Sequence, residues 1–255
     1  MPPAPAQQRA PVLRPDIFAD QPAVTAGVST RRGGVSGAPY DTLNLGRHVG
    51  DDAASVEENR RRFCAALDTD PARLVTAGQV HGTTVQQVEA PRHAPFCDGL
   101  VTTTPGLLLA IATADCAAVL LADPTAGVVG ACHAGWRGAA AGVVEKTVAV
   151  MEEQGADPAA LRAHIGPCLS REAFEVGPEV ADQFDDDVVH RQDDWERPHV
   201  DLKAAVRRQL EVVGVPPSAI GVSGHCTLQE PDTFFSHRGS GGTTGRMFGA
   251  IVLRP

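Results

Sequence analysis

The sequence lacks any long apolar run. None of its hydrophobic stretches approaches the roughly 20 residues that a membrane-spanning helix requires. Its start is rich in proline and alanine and has neither the basic end nor the apolar stretch of a secretory signal. These absences argue against a membrane protein and favour a cytoplasmic location. We expect residues 1–20 to form a disordered tail and residues 21–255 to form a single catalytic domain.

Basic residues are also in short supply. The chain has 22 Lys and Arg against 31 Asp and Glu, so its formal net charge is -9. A general nucleic-acid binder needs a basic surface to neutralise phosphates, and this partner class is therefore excluded. A local basic pocket stays compatible with the composition, because net charge says little about one cleft. No feature of the sequence indicates an obligate protein partner.

The six cysteines include no Cys-x-x-Cys pair. In a chain of this length without an export signal, scattered cysteines are typical of reduced thiols rather than of a disulfide framework. They are Cys64, Cys97, Cys116, Cys132, Cys168 and Cys226. Free thiols are available as metal ligands or as nucleophiles.

Short apolar and β-branched runs alternate irregularly with helical patterns. Strands are predicted over residues 24–30, 74–80, 83–89, 107–113, 117–122, 128–132, 220–222, 234–236 and 248–253. Helices are predicted from a capping box at Ser55, over residues 139–154, and from the cap Asp201 to Val213. Several strands follow one another directly, which predicts a mixed α/β (α+β) fold with mixed sheets between flanking helices.

Three residues of types that bind metals lie at the ends of predicted strands, namely His81, Cys116 and His133. Two imidazoles and one thiolate suit zinc, and three protein ligands leave a fourth position open for water or substrate. Their spacing alone is also compatible with unconnected strand-end histidines and a buried, inert cysteine.

The segment from His133 to Gly138 joins a predicted strand to a predicted helix and contains two glycines and Arg137. Glycines allow a ligand close to the backbone, and Arg137 offers a fork of donors for phosphate or carboxylate. The alternative is an ordinary turn in which Trp136 packs in the core and Arg137 is solvated.

Three further segments each allow two interpretations. Arg31-Arg32-Gly33-Gly34 is either the wall of an anion site or a solvated loop. The glycine-rich run 239–246, which ends at Arg246, resembles a phosphate loop in composition, but it precedes a strand and fits a hairpin loop better. The run His164-Ile165-Gly166-Pro167-Cys168 places a thiol at a strand end, and Cys168 is interpreted as a packing thiol, since no basic partner is indicated.

Seven segments together resemble the YfiH-like family, also called laccase-domain or multicopper polyphenol oxidoreductase proteins. They occur in the family's order and cover nearly everything after the tail. They are Thr30-Arg31-Arg32-Gly33-Gly34-Val35-Ser36, Leu43-Asn44-Leu45-Gly46, Gln79-Val80-His81-Gly82, Ala114-Asp115-Cys116, His133-Ala134-Gly135-Trp136-Arg137-Gly138, Ile165-Gly166-Pro167-Cys168 and Thr244-Gly245-Arg246-Met247.

The resemblance implies that His81, Cys116 and His133 jointly bind zinc; copper fits less well, because a multicopper oxidase needs many more clustered histidines. It implies phosphorolysis of purine nucleosides (adenosine, inosine and methylthioadenosine) with inorganic phosphate, and adenosine deamination as a side activity. Catalytic roles fall on the three zinc ligands and Arg137. The predicted substrate-binding residues are Arg32, Asp115, Cys168, His237 and Arg246.

Two segments depart from the family's usual pattern. Ala173 and Phe174 stand where the family has Cys and Tyr, and His237 stands where it has Tyr. The residues also allow two other functions. One is a cysteine hydrolase or amidase with Cys116 as nucleophile and His133 as base, for which the family resemblance implies editing of peptidoglycan precursors. The other is a non-catalytic binding module, which is expected if the three strand-end residues lie far apart in space.

Overall fold

The computed structural model describes residues 9–193 and 195–255, and within them it contains fourteen strands and five α-helices. The strands are β1 (Val12–Leu13), β2 (Val24–Ser29), β3 (Leu74–Ala77), β4 (Val85–Gln87), β5 (His93–Ala94), β6 (Gly99–Thr102), β7 (Leu108–Thr113), β8 (Ala117–Asp123), β9 (Val128–Ala134), β10 (Arg162–Ile165), β11 (Val189–His190), β12 (His199–Val200), β13 (Ile220–Val222) and β14 (Met247–Leu253). The helices are α1 (Ala53–Ala66), α2 (Trp136–Ala140), α3 (Val143–Glu153), α4 (Pro178–Ala181) and α5 (Leu202–Val212).

The strands form two six-stranded mixed sheets and one small pair. The first sheet has the order β1-β2-β14-β7-β3-β5, and the second has the order β13-β10-β8-β9-β6-β4. β11 and β12 form a separate antiparallel pair. The predicted mixed α/β fold is confirmed. None of the helices in the described ranges is both long and apolar enough to cross a membrane.

Residue alternation along the central strands packs the sheets face to face. Because successive strand residues point to opposite faces, Leu109 and Ile111 of β7 pack towards the second sheet, whereas Leu108 and Ala110 pack towards α1. The strands of the second sheet alternate in the same way, with their other face against α3 and α5. The layers are therefore helix, sheet, sheet, helix. Burying each large aliphatic side chain between them contributes roughly 1.5–3 kcal/mol.

The chain crosses from one sheet to the other between β7 and β8. Asp115 and Cys116 occupy this crossover, at the edge where the two sheets meet. β9 runs antiparallel to β8 and pairs His133 with Ala118. β3 of the first sheet leads towards His81. The fold thus brings three separate strand ends to one edge of the sandwich.

Several local predictions need correction. The run 234–236 is not a strand: Phe235 is fully buried, but its N–H donates to Met247 Sδ instead of to a neighbouring strand. The helix predicted over 139–154 is two helices, because Gly142 adopts a left-handed φ of 80° between α2 and α3. The cap of α1 is Asp52, whose side chain accepts the N–H of Ser55, so Ser55 is not the cap.

The predicted tail falls partly outside the described residues, which begin at residue 9. Within residues 9–20, the chain differs from a disordered tail. Val12–Leu13 pairs with β2, and Ala10 and Phe18 are buried against the domain. The packed structure therefore starts before residue 21.

Candidate metal centre and its cavity

His81, Cys116 and His133 come together at the meeting edge of the two sheets. One ligand atom from each of them lies within 4.8 Å of the others. The two imidazole rings are 4.8 Å apart between centroids and nearly perpendicular, at 77°. Residues that are far apart in sequence thus form one compact group of three metal donors.

A fully buried carboxylate, Asp98, organises this group. It accepts hydrogen bonds from the backbone N–H groups of Val80, His81 and Gly82, at 3.1, 3.0 and 2.7 Å. It also lies 2.8 Å from His133 Nδ1. Because an ionised carboxylate only accepts, Nδ1 carries the proton and Nε2 is left for a ligand.

Two donor-bearing turns adopt backbone conformations that side chains rarely take. His81 has a φ of 60° and Asp115 has a φ of 90°. The Asp98 carboxylate holds the turn at His81, while Asp115 accepts hydrogen bonds from Thr227 Oγ1 and from the N–H of Arg238, both at 2.7 Å. Unfavourable backbone geometry of this kind persists where the surroundings impose it, and such positions cluster at functional sites.

The electrostatics of the group favour a thiolate. Burial opposes charge on Cys116, but hydrogen bonds to His133 and His81 outweigh it and lower the pKa of the thiol to about 6. Burial likewise opposes charge on His133, yet Asp98 and Cys116 raise the pKa of that imidazole to about 9. The protons therefore belong to a coupled thiol–imidazole pair, and a bound metal ion would displace them.

The donor set fits a metal ion. One soft sulfur and two imidazole nitrogens are ligands that suit zinc, with a fourth position open to a cavity. Gly135 leaves room beside them, because a Cβ atom there would lie 3.0 Å from Cys116 Sγ and 3.1 Å from His81 Cδ2. His81, Cys116 and His133 are thus the residues that would hold the ion.

Four of the other five cysteines differ from Cys116 in their surroundings; in Cys226, hydrogen bonds outweigh burial and lower the pKa. Burial raises the pKa of Cys64, Cys132 and Cys168 to about 12 and that of Cys97 to about 11. Cys168 is fully buried, and its Sγ donates to the carbonyl of Leu169. These four thiols are held neutral in packed positions.

A cavity of about 640 Å³ opens beside the three donors. Its lining includes the predicted residues His81, Asp115, Cys116, His133, His237 and Arg246, together with Arg47, His48, Arg60, His93, Phe174, Arg238 and Phe248. Pockets that bind small molecules are usually of this size and mix apolar walls with a few polar groups. The structure therefore gathers six of the nine predicted site residues in one place.

The other three predicted residues do not line this cavity. Arg137 is exposed and lies over the ring of Trp136, 4.2 Å from its centroid. Arg32 donates through Nε to the carbonyl of Asp232 and lines a separate surface pocket. Cys168 is buried, as described above. Arg137 and Arg32 instead occupy the positions that the solvated interpretation predicted for them.

Two important residues were missed by the sequence analysis. Asp98 sits in a Cys-Asp-Gly run that has the composition of a turn, so the sequence carries no signal that its carboxylate reaches His133. The run Arg60-Arg61-Arg62 in the first predicted helix predicts side chains that mostly face solvent. Arg60 is instead buried, and its Nε and Nη2 both donate to the carbonyl of Leu45. The helical spacing of Arg60, which follows Val56 by four residues, was the available signal.

Comparison with known proteins gives a consistent family. The model of the family described as multi-copper polyphenol oxidoreductase laccase matches residues 25–254. A protein of Streptomyces coelicolor named purine nucleoside phosphorylase is 43% identical over 232 residues, which cover 89% of this chain and 94% of that protein. One of Deinococcus radiodurans with the same name is 43% identical over 94% of this chain and 93% of its own length.

Solved structures agree over the whole fold. The crystal structure of YlmD from Geobacillus stearothermophilus has a TM-score of 0.89, with 36% identity and 98% of each chain covered. A crystal structure from Neisseria meningitidis has a TM-score of 0.86, with 36% identity, 96% of this chain and 99% of that chain covered.

Proposed function

Because the chain belongs to the multi-copper polyphenol oxidoreductase laccase family, with relatives named purine nucleoside phosphorylases, we propose that it is a zinc-dependent purine nucleoside phosphorylase. Its proposed substrates are adenosine, inosine and methylthioadenosine, each with inorganic phosphate. Adenosine deamination is proposed as a side activity. The six free thiols support a reducing, cytoplasmic compartment.

One observation carries the proposal. A group of three metal donors, with Nε2 of His133 left free by Asp98, opens into a cavity large enough for a nucleoside. A structural zinc site usually has four protein ligands, whereas three ligands beside a cavity are typical of a catalytic site. When bound, zinc would supply Lewis acidity and lower the pKa of a water for the deamination reaction.

The cavity residues have distinct proposed roles. His81, Cys116 and His133 hold the ion. Arg246 is half-buried near the Cys116 and Asp115 charges, where a guanidinium can stabilise the negative charge that moves during cleavage of the glycosidic bond. His237 is exposed at the same cavity and offers a ring to stack on a purine base.

Copper oxidase chemistry is less well supported. It requires several copper ions and clustered histidine ligands. In the part of the chain that the structure describes, one group of three donors is found, and it contains two histidines. We therefore propose zinc as the metal.

A cysteine hydrolase or amidase is the second candidate, and the lowered pKa of Cys116 beside two imidazoles favours it. As such an enzyme, the protein would edit peptidoglycan precursors with Cys116 as nucleophile and His133 as base. A sulfur that is committed to a metal ion cannot readily act as the nucleophile. Metal content therefore separates the two functions.

The test combines elemental analysis with a nucleoside panel. We expect about one zinc per chain, and release of base and ribose-1-phosphate from inosine or adenosine only when inorganic phosphate is present. Equal release of base without phosphate would contradict phosphorolysis and favour a hydrolase. A fully active wild-type protein without metal would contradict the zinc assignment.

A further inference from the structure

The cavity is basic although the protein is acidic. The chain has a net charge of -9, but the lining of the cavity contains four arginines, five histidines and one carboxylate. That carboxylate, Asp115, is already engaged by Thr227 Oγ1 and the N–H of Arg238. Asp115 and the Cys116 thiolate offset part of the arginine charge, but the lining holds more positive than negative groups, and such a cleft attracts anions.

The basic residues form two groups within the lining. Arg238 and Arg246 lie with the metal donors, and each uses Nη1 to donate to two backbone carbonyls. The second group contains Arg47, His48, Arg60 and His93, and we call it the basic end. The pKa of His93 is lowered, first by its partial burial and then by the charges of His48, Arg60 and Arg47, which lie near it.

The geometry of the basic end suits an anionic group. Arg60 is buried beneath it and is held by Leu45, while its Nη1 makes no hydrogen bond to a described residue. His93 Nδ1 lies 2.9 Å from Thr76 Oγ1, which fixes the ring, and the ring of His48 is 6.1 Å away. Arg47 and His48 are exposed at the rim.

Like charges repel, so the two neighbouring guanidinium groups of Arg47 and Arg60 favour a compensating anion. In the described ranges, Arg47 has one acidic partner, Glu57, at 2.7 Å, and this pair is about half exposed on both sides. Glu57 lies outside the cavity lining, although its charge also acts on Arg60, and the one carboxylate of the lining, Asp115, lies beside the metal donors instead. A tetrahedral phosphate has more acceptor oxygens than a carboxylate, so it can accept from Nη1 of Arg60 and from the flanking imidazoles at the same time.

We propose that the basic end binds a phosphate group. This inference deepens the proposed function, because such a group has two sources: inorganic phosphate as the co-substrate, or the phosphate of a phosphorylated nucleoside whose other end reaches the metal donors. Both sources share the same recognition by Arg47, His48, Arg60 and His93. A bound phosphate would offset the repulsion within the cluster.

The experiment measures binding by calorimetry at constant ionic strength, with inorganic phosphate and adenosine 5′-monophosphate as separate probes. The variants are Arg60→Gln and the rim double variant Arg47→Gln/His48→Gln. Because Arg47 and His48 are exposed, the rim variant keeps the core intact and tests the site even if Arg60→Gln does not fold. Arg61→Gln is the matched control, because Arg61 neighbours Arg60 on α1 but pairs with Glu58 outside the cavity. Thermal unfolding checks the fold of each variant.

We expect Arg60→Gln and the rim variant each to weaken at least one probe by about 10-fold or more, as for the loss of a charge-assisted hydrogen bond. Arg61→Gln should change neither probe by more than about 2-fold. Weaker binding of inorganic phosphate would identify the basic end as the site of the phosphate co-substrate. Weaker binding of the monophosphate would identify it as the site of the phosphate group of a phosphorylated nucleoside. Folded variants that bind both probes as wild type does would overturn the inference.

Phosphorolysis of inosine is measured in parallel, so that a failure of the phosphate site can be distinguished from a failure of the proposed function. If the wild type shows no phosphorolysis but the variants lose phosphate binding, the phosphate site is supported and the proposed function is contradicted. If phosphorolysis occurs and every variant retains both probes, the proposed function stands and the basic end is not a phosphate site.

Discussion

Asp98 makes two hydrogen bonds to His133. Its backbone carbonyl accepts the N–H of His133 at 2.7 Å, and its carboxylate accepts the Nδ1 proton at 2.8 Å. The hydrogen bonds to the carboxylate also hold its pKa below the ordinary value despite the opposing effect of burial. One buried residue therefore fixes the position of the imidazole and leaves its Nε2 as the atom that can bind a metal ion.

Replacing this carboxylate should weaken metal binding. We expect Asp98→Asn to reduce zinc affinity by about 10–100-fold, because an amide no longer fixes the tautomer or raises the basicity of His133. Competition with a chromophoric chelator measures the affinity. Asp123→Asn is the matched control, since Asp123 is equally buried but caps a turn through Thr125 and Ala126. Equal zinc affinities of wild type and Asp98→Asn would show that Asp98 does not tune His133 for metal binding.

Removing the sulfur should abolish the metal. Cys116→Ala is expected to lose bound zinc and most activity while keeping its fold, because only two protein ligands remain. Cys64→Ala is the control: that thiol lies on α1 and packs against the first sheet, away from the donors. Elemental analysis and circular dichroism check both variants. Full zinc content in a folded Cys116→Ala protein would refute the proposed ligand set.

Metal-free protein should carry an unusually reactive thiol. The pKa of Cys116 is about 6, below its ordinary value, whereas the pKa values of Cys64, Cys97, Cys132 and Cys168 are raised. Alkylation of Cys116 by iodoacetamide should therefore be fast at about pH 7 and fall as the pH drops through about 6, where the thiolate gains its proton. Peptide mass spectrometry reads the site. Zinc should protect it, and a rate that rises only near pH 9 would contradict the lowered pKa.

The same pair links stability to pH in the metal-free protein. The lowered pKa of Cys116 stabilises the fold above about pH 9, and this contribution is lost as the pH falls through about 6. The raised pKa of His133 stabilises it below about pH 6.5, and this is lost as the pH rises through about 9. The two contributions are not independent, because each charge stabilises the other: the pair is lost below about pH 6, where the thiolate gains its proton, and above about pH 9, where the imidazole is neutral. Denaturant titrations of wild type and Cys116→Ser should therefore differ most between these two pH values. A difference that does not vary with pH would contradict the ion pair.

A methyl group at Gly135 should disturb the metal donors directly. The new Cβ would lie 3.0 Å from Cys116 Sγ, and the backbone there is extended and accepts alanine without strain. We expect Gly135→Ala to fold but to retain less zinc than wild type. Gly37→Ala is the control, because a Cβ there would meet nothing within 4 Å. Unchanged zinc content in Gly135→Ala would show that the donors have room to spare.

The loop that carries His237 should affect nucleoside affinity. His237 lines the cavity, where a tyrosine would present a larger ring and a hydroxyl. We expect His237→Tyr to lower the KM for adenosine by about 2–10-fold, in line with a gain of aromatic contact. Measuring KM at about pH 6 and about pH 8 separates stacking from protonation of the imidazole. Unchanged constants at both pH values would make this loop a bystander.

Sequence patterns predicted the fold class and most strands, because short continuous apolar runs are typical of strands that are buried on both faces. β8 and β9 illustrate this: every residue in both strands is buried. Their metal donors were predicted because His and Cys at strand ends are chemically conspicuous. Asp98 and Arg60 were not, since their roles depend on partners, His133 and Leu45, that only the folded chain brings near.

The position of β14 has a consequence for how the protein assembles during synthesis. β14 lies between β2 and β7 in the first sheet, and its pairing of Met247 with Thr113 joins residues 134 positions apart. All three metal donors are translated long before this strand, so a ribosome-bound chain displays the Cys116 thiol before its sheet is complete. Contacts of such long range form late and slow folding. Metal loading is therefore expected to follow release of the chain, and a nascent chain lacking β14 should capture thiol reagents at Cys116 that the finished, zinc-loaded protein resists.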